Sequence, residues 1–178
     1  MRLFTALDIP EEVRGRLVKL VAELRPLGRL RWSRPENLHV TTKFIGEWPA
    51  ADLPRLTAAL RAVPATGPID VAVRGLAWFP NPHHPRVLFA GISAGPALAE
   101  LHRATDDACF AAGIAKEQKK YSPHLTLARV DAGESVAAVR ARIAALPDAD
   151  FGAFQASTFG LYESAMGKYT LLEEFSLL

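Results

Sequence analysis

Asn37-Leu38-His39-Val40-Thr41-Thr42-Lys43-Phe44 alternates polar and apolar residues, and His124-Leu125-Thr126-Leu127 takes up the same pattern 85 residues later. Successive side chains on a strand point to opposite faces. His39, Thr41 and Lys43 are therefore expected on one face, with Leu38, Val40 and Phe44 on the face that meets a core. In the second stretch His124 and Thr126 share a face and Leu125 and Leu127 take the other. Arg129 has the opposite parity to His124, so it reaches the histidine face only at a strand end or a bulge.

Working outward, two more matches share the offset of 85: Leu3-Phe4 with Leu88-Phe89, and Gly75-Leu76 with Gly160-Leu161. Matches at one offset and in one element order point to two copies of a single unit, about 2–86 and 87–171. A tail strand is expected at 168–177. Apolar periodicity and turn residues predict strands at 2–9, 30–33, 37–45, 69–79, 86–92, 123–130 and 151–163. Helices are expected at about 11–24, 52–62, 96–112 and 134–146. Short turns between mixed elements favour an α+β fold with antiparallel sheets. The expected architecture is two pseudo-symmetric lobes, each an antiparallel sheet with helices packed outside, and a groove between them. No linker rich in Pro, Gly or Ser separates the halves, so residues 1–178 read as one bilobal domain. The opening strand of each half is expected to complete the sheet of the other lobe, with the tail supplying a further strand.

Composition narrows the function classes. The chain has 178 residues, 49% of them hydrophobic, enough for a real core. A net charge of +2 is a mild basic bias that suits a phosphate-bearing substrate. The one cysteine, Cys109, excludes an internal disulfide and fits a reducing compartment and a place in the core. Neither a signal-peptide pattern nor a membrane-spanning apolar run is present. A cytoplasmic monomer that uses no membrane is the expectation.

Each half thus offers a histidine and a threonine side by side, and facing lobes would bring the two pairs together. Displacement at phosphorus needs a base at the attacking oxygen and an acid at the leaving one, on opposite sides of the phosphorus. Imidazole serves either role because its pKa lies near neutrality. Threonine hydroxyls can donate to the non-bridging oxygens, and no metal or other cofactor is required.

The motifs His39-Val40-Thr41-Thr42 and His124-Leu125-Thr126-Leu127 resemble those of the two-histidine (2H) phosphoesterases. Their flanks are similar to the RNA 2′,3′-cyclic phosphodiesterase branch, also called 2′-5′ RNA ligases: Arg2-Leu3-Phe4-Thr5-Ala6-Leu7, Arg34-Pro35-Glu36-Asn37-Leu38, Lys43-Phe44-Ile45-Gly46-Glu47, Tyr121-Ser122-Pro123, Ala128-Arg129 and Leu161-Tyr162-Glu163-Ser164. Thr42 stands where a hydrophobic residue is common. The resemblance implies hydrolysis of a terminal 2′,3′-cyclic phosphate on RNA to a 2′-phosphate. It also implies that His39 is the proton donor and His124 the proton acceptor; the residues alone leave that assignment open. With a 5′ hydroxyl in place of water, the same chemistry would join such an end in a 2′-5′ linkage. A 2H enzyme acting on a small cyclic nucleotide or an ADP-ribose cyclic phosphate is the alternative within the class. A non-catalytic RNA-binding protein is the alternative outside it, and two matched His-Thr pairs argue against that.

Lys43 and Arg129 are candidates to hold the phosphate, and Phe4, Trp48 and Tyr121 to meet a base, with core packing the stronger reading for Phe4 and Trp78. Arg31, Arg34, Lys116, Lys119 and Lys120 lie just upstream of the two motifs and could hold an RNA backbone, or simply be solvated. His83-His84 has no nearby Cys or acidic partner and makes a poor metal-ligand set.

Overall fold

The structure is a computed structural model that describes residues 1–146 and 148–178. Its first half runs β1 (Arg2–Asp8), α1 (Glu11–Leu24), β2 (Arg31–Trp32), β3 (His39–Glu47), α2 (Leu53–Arg61) and β4 (Ile69–Phe79). The second runs β5 (Val87–Ser93), α3 (Gly95–Ala111), β6 (His124–Arg129), α4 (Ala137–Ala144), β7 (Asp150–Ala156), β8 (Thr158–Ala165) and β9 (Lys168–Ser176). Among the described residues no helix is long and apolar enough to cross a membrane.

Local chemistry explains the elements. Pro10 precedes α1, and Glu11 and Glu12 occupy its first turn, where the helix dipole favours acids. The periodic residues Val13, Leu17, Leu20, Val21 and Leu24 are all buried. On α3, Leu98, Leu101, Thr105 and Cys109 do the same. Burial pushes the Cys109 thiol up to about 11, so it stays protonated and inert.

All strand pairs are antiparallel and form two sheets, in the orders β3-β1-β8-β9 and β2-β6-β5-β4-β7. The opening strands do not cross between lobes, contrary to expectation. β1 lies beside its own histidine strand β3, and β5 beside its own β6. The late strands cross instead: β4 joins β5 in the second sheet, and β8 joins β1 in the first. The reason lies in burial. Leu3, Phe4, Thr5, Ala6 and Leu7 are all buried, which suits a strand inside a sheet covered on both faces; the histidine strand takes one edge of β1 and β8 takes the other. The tail strand β9 extends the first sheet along β8.

A second correction concerns the stretch expected as one strand at 151–163. It is two strands, because the chain changes sheets at Ser157: β7 pairs with β4 and β8 with β1. β4 itself shifts register around Gly75, whose φ of +77° suits a residue without Cβ. Gly91, opposite His124 on β5, allows a close approach of β4: a Cβ there would clash with the Arg74 carbonyl oxygen.

Candidate active site

His39 opens β3 and His124 opens β6, so each histidine sits at the mouth of a strand in a different sheet. Both line one cavity of about 590 Å³, together with Thr41, Thr126, Phe4 and Arg129. Arg2, Phe44, Ser164 and Tyr169 complete its wall from the first sheet and its flanks, and Arg31 and Ser33 from the β2 segment.

Both rings are oriented alike. The Nδ1–H of His39 donates to the Asn37 carbonyl at 2.6 Å, and that of His124 to the Ser122 carbonyl at 2.9 Å, two residues upstream in each case. This bond fixes the tautomer and leaves Nε2 as an acceptor in the neutral ring. At His39 the Thr41 hydroxyl donates to Nε2 at 2.9 Å. The turn at Asn37 is itself held by Arg14, whose guanidinium donates to the Pro35 carbonyl at 2.6 Å and to Asp8 at 2.8 Å.

The surroundings of the two rings differ. His39 stacks on Phe4 at 4.8 Å and meets the edge of Tyr169 at 5.2 Å. Burial in this nest lowers its pKa from 6.5 to about 4; the Asn37 carbonyl and Asp8 oppose the shift, and His124 and Arg14 add to it. His124 is exposed to the cavity and meets the edge of Phe89 at 5.4 Å.

Two bulges decide what else faces the cavity. Opposite β1, Thr5 pairs with Lys43 and Ala6 with Thr41, so Thr42 is an extra residue. Opposite β5, Leu88 pairs with Ala128 and Phe89 with Thr126, so Leu127 is an extra residue. Thr42 and Leu127 are themselves 85 positions apart. Each bulge reverses the parity beyond it, which carries Phe44 and Arg129 onto the histidine face and turns Lys43 inward.

Lys43 therefore does not line the cavity, contrary to the alternation. It is 4% exposed and its Nζ lies 2.7 Å from Asp106. Burial works against ionisation of Asp106, but the Lys43 ammonium and the Glu117 backbone N–H outweigh it and hold the carboxyl below its ordinary value. Phe44, expected in the core, is 49% exposed in the cavity wall with the Arg2 guanidinium 5.2 Å from its ring centre.

Two of the proposed base-stacking residues lie elsewhere. Trp48 is buried, its backbone N–H donating to the Met1 carbonyl and its own carbonyl accepting from the N-terminal ammonium. Tyr121 is stacked on His102 at 4.1 Å, and its hydroxyl donates to the Thr41 carbonyl at 2.8 Å. Burial pushes its phenol well above the ordinary value. Phe4 does reach the cavity, under the His39 ring. Of the upstream basic residues Arg31 lines the cavity, paired with Asp131 at 2.9 Å, whereas Lys116 pairs with Asp107 outside it. Sequence reasoning missed Tyr169, Asn37 and Ser33 as cavity residues. Tyr169 arrives on the tail strand, which carries no motif. Among the described residues no cluster of three or more His, Cys, Asp or Glu could hold a metal ion.

Two imidazoles of one tautomer, each followed by a threonine and flanked by guanidinium groups, define an acid–base site suited to phosphate esters. Comparisons with known proteins give the family. A family model described as LigT like Phosphoesterase matches residues 7–89 and 92–171. An RNA 2′,3′-cyclic phosphodiesterase of Methanocaldococcus jannaschii is 33% identical over 93% of this chain and 92% of its own. One of Thermus thermophilus is 35% identical over 99% of this chain and 90% of its own. A crystal structure of a Thermus thermophilus protein superposes with a TM-score of 0.81 at 33% identity, covering 99% of this chain and 98% of the other. The chain belongs to the LigT-like phosphoesterase family.

Proposed function

We propose that this protein hydrolyses 2′,3′-cyclic phosphodiester ends of RNA to 2′-phosphomonoesters by metal-independent acid–base catalysis. The observation that carries the reading is the matched pair of histidines, each held through Nδ1 by the carbonyl two residues upstream, in the wall of one cavity. The names of the relatives supply the substrate class. We also read the two halves as copies of one unit, which gives the second histidine its matching place.

In this mechanism His124 Nε2 takes a proton from water as the water oxygen attacks phosphorus. The bond from phosphorus to the 3′ oxygen breaks, and His39 Nε2–H delivers a proton to that oxygen. The product carries a 2′-phosphate and a free 3′ hydroxyl. Burial keeps His39 neutral in the free protein, so the charge of the bound phosphodiester must bring the proton onto the ring. Once Nε2 is protonated it no longer accepts from Thr41, and that hydroxyl turns to a non-bridging oxygen beside Arg129 and Thr126. With a 5′ hydroxyl in place of water the same groups would form a 2′-5′ linkage: His124 takes the proton of the attacking hydroxyl, the bond to the 3′ oxygen breaks, and His39 protonates that oxygen.

The test is an oligonucleotide ending in a 2′,3′-cyclic phosphate, incubated in EDTA with wild type, His39→Ala and His124→Ala. Each variant is expected to lose activity by about 10²-fold or more. Full activity in either variant refutes the mechanism, and a 3′-phosphate product reverses the two roles. Loss of wild-type activity in EDTA shows that a metal is needed. Turnover of small cyclic nucleotides only would move the substrate away from RNA.

A further inference from the structure

The backbone carbonyls at the two bulges are held from the opposite half of the chain. On β3 the Thr41 carbonyl accepts from the Tyr121 hydroxyl at 2.8 Å. Tyr121 belongs to the segment that leads into β6 and lies three residues before His124. On β6 the Thr126 carbonyl accepts from the Ser33 hydroxyl at 3.0 Å. Ser33 belongs to the segment that leads into β3, and its backbone N–H also donates to the carbonyl of the bulged Leu127 at 2.8 Å. The carbonyl of the other bulged residue, Thr42, accepts from His102 Nδ1–H at 2.6 Å, and the His102 ring is the one stacked on Tyr121.

The pattern is reciprocal. Each histidine strand is tied, at the threonine that follows its histidine, by a hydroxyl from the approach to the other histidine strand. β3 and β6 lie in different sheets and share no ladder; the hydroxyl bond adds to the backbone pairing of β2 with β6 on the Ser33 side, and on the Tyr121 side the tie runs through side chains. We propose that Tyr121 and Ser33 are positioning residues whose crossed hydroxyl bonds set the separation of His39 and His124 across the cavity. In-line displacement needs acid and base at fixed places on either side of phosphorus, and a misplacement of about 1 Å is worth up to about 10²-fold in rate. The bulges make the ties necessary: a strand with an extra residue has a looser local ladder, and its carbonyls need partners from outside.

This inference rests on the proposed hydrolysis, so its test has one arm that does not use activity. Tyr121→Phe removes the hydroxyl and keeps the ring on His102; Ser33→Ala removes the other hydroxyl; Ser33→Thr keeps it. On an oligonucleotide 2′,3′-cyclic phosphate, each hydroxyl-less variant is expected to lower kcat about tenfold with KM within about twofold, and the double variant to lower it about 10²-fold. Ser33→Thr, which keeps a hydroxyl, is expected to recover most of the kcat lost in Ser33→Ala. A rise in KM at constant kcat would show substrate contact instead of positioning and overturn the proposal. So would unchanged kcat in the double variant.

In the second arm, nitroxide labels at Gln155→Cys on β7 and Thr170→Cys on β9 report the distance between the two sheets by electron–electron double resonance. Both positions are exposed and the native Cys109 is fully buried. The double variant is expected to broaden or lengthen the distance distribution while remaining folded by circular dichroism. An unchanged distribution refutes the ties even if the substrate assignment stands. Inactive wild type with a broadened double variant refutes the substrate and leaves the ties established.

Discussion

If His39 is the proton donor, its pKa must rise when an anion enters the cavity. In the free protein burial holds it at about 4. One negative charge about 5 Å from the ring, at an effective dielectric constant near 20, stabilises the imidazolium by about 3 kcal/mol. That is roughly two and a half pKa units, which carries the ring to between 6 and 7 and makes it a competent acid near neutral pH. The perturbation is saturation with adenosine 2′-phosphate, which mimics the proposed product. The assay is an NMR titration of the imidazole carbon-bound protons with and without the nucleotide, His39 being assigned by the His39→Asn variant. The expected result is a large upward shift of the His39 titration on binding. A bound value that stays near 4 would refute His39 as the donor. A free value near 6.5 would refute the burial argument from which the shift is worked.

The lowered pKa of His39 also has a sign for stability. The unfolded chain takes up the proton first as pH falls, so stability is lost between pH 6.5 and about 4, by up to about 3 kcal/mol. Urea unfolding at pH 7 and pH 4 should show that loss in wild type and less of it in His39→Asn. Lys43→Met leaves the Asp106 carboxylate buried without its partner and should cost about 3 kcal/mol or more in urea unfolding at pH 7. Asp106→Asn in the same background should recover part of it, and full stability of Lys43→Met alone would refute the ion pair. Gly91→Ala drives a methyl into the Arg74 carbonyl, so β4 and β5 must separate beside His124. The melting temperature should fall by several degrees, for about 1–3 kcal/mol; an unchanged melting temperature would show that the approach relaxes freely.

Much of the site was legible because its chemistry is written twice. Either histidine alone would be an ordinary strand residue; the shared offset makes them a pair. What alternation could not show is the two bulges. A single extra residue leaves no mark in composition, yet it exchanges the fates of Lys43 and Phe44 and brings Arg129 to the cavity. Trp48 and Tyr121 read as base-stacking candidates because an aromatic ring beside a motif looks the same in sequence whether it meets substrate, the N-terminal ammonium or His102. The exchange of β4 and β8 was also out of reach, since strand partners are set by which edges stay bare after local pairing.

That exchange has a consequence for how the chain is made. Synthesis runs from the N-terminus, and β1 and β3 emerge with every residue needed to pair them. The other edge of β1 has no partner until residues 158–165 have left the ribosome. Until then the nascent protein carries an unpaired apolar strand edge, the kind of surface that holding chaperones bind and that drives aggregation. The first sheet is completed only when the last strands arrive, and the ring of Tyr169 that closes the nest around His39 comes on the very last of them. The dry surroundings that set the proton affinity of this histidine are thus a property of the finished chain alone.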